Sequence, residues 1–225
     1  MSSRRPITKP ATIDFSHEAL ANCYVTEPQR GQSIVAAVEK TALSSTDTNL
    51  IERIVAWDNM LKAWKSVRAN QGAPGPDGIT INDFPEHFYQ HWPTIMRQLL
   101  EGTYQPGASR RKSIPKKDGG DRSLGIPNVM ERLIQQAVSQ ILTPLFDPGF
   151  SESSYGYRPK RSASGAIKQI QRTIRNGYRH CVDMDLLKFF DRCQHDALLA
   201  RVSRKVHDKR VLKLISRFLR AGVIV

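Results

Sequence analysis

A chain of 225 residues that is 40% apolar and 24% charged can bury a sizeable core as one large domain or two small ones, and no apolar stretch approaches the ~18 residues that a membrane helix needs. Its formal net charge of +13 is unevenly placed: residues 151–225 hold 17 basic and 6 acidic residues, whereas residues 1–100 hold 10 of each. Charge of that sign and location points to a polyanion, nucleic acid before an anionic membrane surface; the alternative is a solvated basic surface.

The basic start, Met1 to Pro6, is not followed by an apolar run of signal-peptide length, so a cytoplasmic protein is expected. Cys23, Cys181 and Cys193 are too widely spaced for a disulfide framework or a zinc site and read as reduced, partly buried thiols. Residues 1–48 mix Pro, Ser, Thr and Gly with little periodicity beyond a short helix at Ser33 to Thr41, and are expected to be a loosely ordered extension. From Thr48 to Ala69 the spacing of Leu50, Ile54, Trp57, Leu61 and Trp64 predicts an amphipathic helix, or two.

Asn70 to Gly78 carries two prolines and three glycines and reads as a loop. Asn82 to Gly102 is helical again. Ser113-Ile114-Pro115 and Ser123 to Ile126 flank a charged turn as the two strands of a hairpin would. Val129 to Leu142 is a further helix that Pro144 ends or kinks, and Ala163 to Asn176 repeats the pattern. In Val182-Asp183-Met184-Asp185-Leu186 the apolar residues alternate with the carboxylates, which predicts a strand with both aspartates on one face. His195 to Leu219 is helical and strongly basic, and Gly222 to Val225 begins a strand.

Three blocks carry chemistry. Asp183 and Asp185 supply hard oxygen donors suited to Mg²⁺, or are solvated strand-end residues. Ile114 to Pro127, with Lys116 and Arg122, forms a basic hairpin followed by Arg132 and Gln135-Gln136-Ala137. Arginine grips phosphate oxygens in a fork and lysine acts as a mobile point charge, although a solvated hairpin carries the same residue types. Ser153 to Ala163 combines Tyr155 and Tyr157 with Arg158, Lys160 and Arg161, a set that stacks on bases and pairs with phosphates. Within it Tyr157 reads as core, and Arg158 as a nucleic-acid contact.

Together these blocks, over residues 49–225, resemble the group II intron reverse transcriptases and maturases. The resemblance implies an α+β fold, helix-rich, with a fingers β-hairpin and an incomplete antiparallel palm sheet. It divides the chain into an extension (1–48), fingers with amino-terminal helices (49–178) and the beginning of a palm (179–225). It implies an RNA-directed DNA polymerase working with Mg²⁺, with Asp185 catalytic and metal-binding, the Leu186 carbonyl as a second ligand, and Lys116 and Arg122 on the triphosphate of a deoxynucleotide. Phe190, alternatively a core residue, would lie against the nucleotide sugar. Template or RNA contacts fall on Tyr155, Arg158, Lys160 and Arg161, and the loop Asn70 to Gly78 lies near the template.

The expected partners are group II intron RNA, an RNA template, a DNA primer and deoxynucleotides, with no membrane, in a bacterial cytoplasm. Lys117, Ser123, Leu187 and Gln194 depart from the family pattern. No Tyr-Ala-Asp-Asp follows Asp185 in the 225 residues, so this chain alone is expected to bind RNA without extending a primer, and a second chain is one source for the rest of palm and thumb. The other functional class open to the sequence is a noncatalytic RNA-binding module that assists splicing.

Overall fold

The computed structural model describes residues 49–115, 119–186 and 189–224. The expected extension 1–48, with its short helix and Cys23, lies outside the described residues, as do Lys116, Lys117 and Leu187. The first helical stretch is indeed two helices, α1 (Leu50–Val55) and α2 (Trp57–Ala69). The break falls at Ala56, which is extended (φ −56°, ψ 138°). The Asn59 side-chain amide donates to the Ile54 carbonyl at 2.8 Å, which the break leaves without a helical partner, and to the Ala137 carbonyl at 3.1 Å.

Helix α3 (Phe84–Glu101) places Phe84, Phe88 and Trp92 one turn apart on one face, all buried. Their rings pack in sequence at centroid distances of 5.8 and 4.9 Å, and Trp64 of α2 meets Phe84 at 4.9 Å. Each such aromatic stabilises the fold by about 1.5–3 kcal/mol through burial, with about 0.5–1.5 kcal/mol more per ring pair. Helix α4 (Val129–Phe146) closes the core with Val129, Met130, Leu133, Ile134 and Ala137. Pro144, expected to end or kink it, lies in its last turn: lacking an N–H it cannot donate to the Gln140 carbonyl, and the helix ends two residues later at Phe146.

Strands β1 (Ser109–Pro115) and β2 (Asp121–Ile126) pair antiparallel, with Ile114 opposite Arg122, and their side chains face solvent on both sides. Helix α5 (Ala163–Arg175) is capped by Ser162, whose hydroxyl accepts the Gly165 N–H, and exposes Ile167, Ile170 and Ile174 along one face. The basic helical stretch after His195 divides into α6 (His195–Val202) and α7 (Lys209–Arg220). Val206, Val211 and Leu214 join the core built by α1 to α4.

β3 (Val223–Ile224) runs parallel to β1, with Ser109 opposite Val223. The helix-rich α+β class and the fingers hairpin are therefore as expected, but the sheet is mixed, in order β2-β1-β3. The predicted strand at 182–186 is not formed: these residues are irregular, with Val182, Met184 and Leu186 exposed. Alternation assigns side chains to two faces, but a strand also needs a neighbour to bond its N–H and C=O groups, and none lies alongside among the described residues. Among the described residues no helix is long and apolar enough to cross a membrane.

Candidate nucleic-acid interface

The loop between α2 and α3 is held against the start of α4 by three contacts. The Asp77 N–H donates to Asn128 Oδ1 at 3.2 Å, and Arg132 Nη2 donates to the Ala73 carbonyl at 2.9 Å. Gly75 lies so near Asn128 that a Cβ there would meet the Asn128 backbone nitrogen and Cα at 2.6 Å, so glycine is required by close approach. The glycines and prolines predicted the loop; its docking on Asn128 was not legible, because an asparagine before a helix reads simply as a cap. Beside it, the buried Glu131 accepts through Oε1 from the Gly107 N–H at 3.0 Å and the Tyr104 hydroxyl at 3.4 Å. Burial, with Glu131 adding to it, pushes the Tyr104 hydroxyl well above its ordinary range.

On the hairpin, Arg122 is exposed on β2, and Arg111 on β1 donates through Nε to the Ser123 hydroxyl at 2.9 Å. Lys116 follows β1 directly but falls outside the described residues.

The segment after the 3₁₀ turn Asp147–Gly149 is organised by Arg158. Its Nε donates to Asp147 Oδ1 at 2.8 Å, Nη1 to the Ser151 and Ser154 carbonyls, and Nη2 to the Asp147 carbonyl and Oδ2. All five donors of the guanidinium are engaged within the chain, and the side chain is only 6% exposed. The hydrogen bond from Arg158 holds the Asp147 carboxyl below the usual carboxylate range. Arg158, expected to touch template or primer, is thus occupied in shaping the loop that presents its neighbours.

Arg161 pairs with Glu152 and lies over the Tyr155 ring, 5.5 Å from its centroid. Lys160 is exposed, with φ +60°. Tyr157, read from sequence as core, is 108% exposed with φ +55°: this left-handed backbone lifts the ring off the surface, and an aromatic between two turns has no helical or strand face to bury.

Asp183 and Asp185 are both exposed, and Asp185 Oδ1 accepts the Leu186 N–H at 2.9 Å, while Oδ2 has no hydrogen bond among the described residues. Phe190 is 84% exposed and meets Phe189 edge-on at 5.3 Å. Among the described residues no three His, Cys, Asp or Glu side chains gather as a metal cage. The donor chemistry nonetheless suits Mg²⁺, which binds through one or two carboxylates and completes its shell with water and substrate phosphates. Cys181 is exposed and Cys193 half-buried, both as free thiols.

Residues 114–223, from the hairpin to β3, match the family described as reverse transcriptase (RNA-dependent DNA polymerase). The group II intron-encoded protein LtrA of Lactococcus lactis subsp. cremoris is 33% identical over 199 residues, covering 85% of this chain and 32% of that protein. Protein YkfC of Escherichia coli K12 is 30% identical over 206 residues, covering 89% of this chain and 53% of its own length. The nuclear intron maturase 4, mitochondrial, of Arabidopsis thaliana is 25% identical over 188 residues, 83% of this chain and 22% of that protein. Residues 114–223 thus carry a reverse transcriptase domain, and over most of its length the chain is similar to group II intron proteins and an intron maturase. It spans between about a fifth and about half the length of these relatives.

Proposed function

We propose that this chain holds RNA template, DNA primer and incoming deoxynucleotide as the fingers (49–178) and first part of the palm (179–225) of an RNA-directed DNA polymerase that also binds group II intron RNA. The observation that carries this is the single family match running from the exposed basic hairpin through Asp185. Lys116 and Arg122 bind the triphosphate, Arg122 as a fork and Lys116 as a point charge. Phe190 lies against the sugar. Tyr155, Lys160 and Arg161 contact RNA by stacking and charge, on the loop that Arg158 braces.

Asp185 Oδ2 and the Leu186 carbonyl would hold Mg²⁺, which when bound acidifies the primer 3′-hydroxyl and neutralises charge on the leaving pyrophosphate. Asp185 itself serves as a fixed anion at a solvent-open position, with Oδ1 steadied by the Leu186 N–H. The relative named a maturase favours a second role, RNA binding that assists splicing without polymerisation.

The test joins residues 1–225 in place of the aligned part of the Lactococcus lactis protein and measures Mg²⁺-dependent primer extension on an RNA template. Extension abolished by Asp185→Ala, with RNA affinity retained, supports the polymerase. Extension indifferent to that change refutes Asp185 as metal ligand. Splicing assistance that survives Asp185→Ala supports the second role. RNA affinity of the chain itself should fall steeply with salt, by about 0.7 in log–log slope for each single-strand phosphate bound.

A further inference from the structure

Between the end of α2 and α4 runs a groove of about 350 Å³, lined by Val67, Asn70, Arg132, Gln135, Gln136 and Ser139. The four α4 residues follow the i, i+3, i+4, i+7 spacing of one helix face. That face is polar, uncharged apart from Arg132, and free of carboxylates. Among the described residues the side chains of Asn70, Gln135 and Ser139 make no hydrogen bond, and Gln136 donates to Gln140 Oε1 at 3.4 Å, which leaves its own carbonyl open.

Arg132 stands at the junction of groove and loop. One arm donates to the Ala73 carbonyl, while its Nε is buried without a partner among the described residues. With the loop already pinned through Asn128 and Ala73, the groove is formed in advance, and its volume lies in the range of small-ligand sites.

The lining selects its occupant. Side-chain amides offer a donor and an acceptor in one plane, the pattern that reads the edge of an unpaired base. A guanidinium attracts phosphate. Lacking a carboxylate, the groove offers an anion the Arg132 charge with no opposing negative charge in its lining.

We propose that this groove seats one unpaired nucleotide of bound RNA, its base edge on Asn70 and Gln135 and its phosphate on the Arg132 side. The proposal rests on the reading that the chain binds RNA, and the experiment separates the two. Fluorescence anisotropy is measured with labelled single-stranded oligo(A), oligo(C) and oligo(U) RNA and with an abasic ribose-phosphate oligomer. The wild-type chain is compared with Asn70→Ala and with the double variant Gln135→Ala, Ser139→Ala. Gln135 and Ser139 are exposed, so these changes leave the core intact, and circular dichroism verifies the fold.

The wild-type chain should prefer one homopolymer. Each variant should lose roughly 5–100-fold in affinity for it, the worth of a base-edge pair. Affinity for the abasic oligomer and the salt slope should stay as they were, since no phosphate contact is removed. Unchanged affinities, or an equal loss on every oligomer including the abasic one, overturns the groove while RNA binding stands. No binding to any oligomer overturns both.

Discussion

Asp208 is nearly buried, at 4% exposure, and ties the far end of the chain to its first described helix. Its Oδ1 accepts the Arg210 N–H at 3.0 Å as the cap of α7, and its Oδ2 accepts the Ile51 N–H of α1 at 3.1 Å. Both oxygens also accept from the Arg210 guanidinium, which forks onto Glu52 at 2.7 and 2.9 Å. Removing the carboxylate with Asp208→Ala costs about 1 kcal/mol for the cap and about 1–3 kcal/mol for the buried Ile51 N–H. Arg210 keeps Glu52, so no charge is stranded, and the total is about 3 kcal/mol. For a chain of this size that lowers Tm by roughly 6–12 °C, read by circular dichroism. Asp208→Asn, which retains one acceptor oxygen, should recover about half.

The same increment depends on pH. Burial alone would raise the Asp208 carboxyl, but hydrogen bonds from Arg210 and the Ile51 N–H outweigh it and hold the group below its ordinary value. A carboxyl depressed in the folded state contributes its stability in full above the unfolded value of about 3.9 and loses it as pH falls through the folded value. The gap in Tm between wild type and Asp208→Ala should therefore be widest near neutral pH and close below about pH 4. A variant melting at the wild-type temperature, or a gap unchanged in acid, refutes the reasoning.

Arg158→Ala should lower Tm yet leave the slope of RNA affinity against salt unchanged, because all five donors are internal; a slope reduced by about 0.7 would restore Arg158 as a phosphate contact. Arg161→Ala, by contrast, should weaken RNA binding and reduce that slope, with equal slopes in both proteins counting against an Arg161 phosphate contact. Gly75→Ala places a Cβ against the Asn128 backbone and should destabilise by about 1–3 kcal/mol as the loop is forced off α4. Gly156→Ala, with nothing within 4 Å, serves as its control and should melt like wild type.

Much of the architecture was legible because local spacing encodes it. The run Phe84, Phe88, Trp92 declares a buried helix face whatever lies opposite, and a charged turn with Gly119-Gly120 between Ser113-Ile114-Pro115 and Ser123 to Ile126 declares a hairpin. Lys116, Arg122 and Asp185 were legible as motif positions. The groove was not, since polar residues at 132, 135, 136 and 139 look like any solvated helix face until a neighbouring helix and loop wall them in.

What required the tertiary structure was the choice of partner. Arginine at 158 guarantees five donors, but that they close on Asp147, Ser151 and Ser154 rather than on phosphate follows from a turn bringing those oxygens together. Likewise Asp208 meets Ile51 across 157 residues of chain, a distance no local pattern spans. The alternation at 182–186 sets which side chains would share a face of a strand; whether those residues become one depends on a neighbouring backbone to complete their hydrogen bonds.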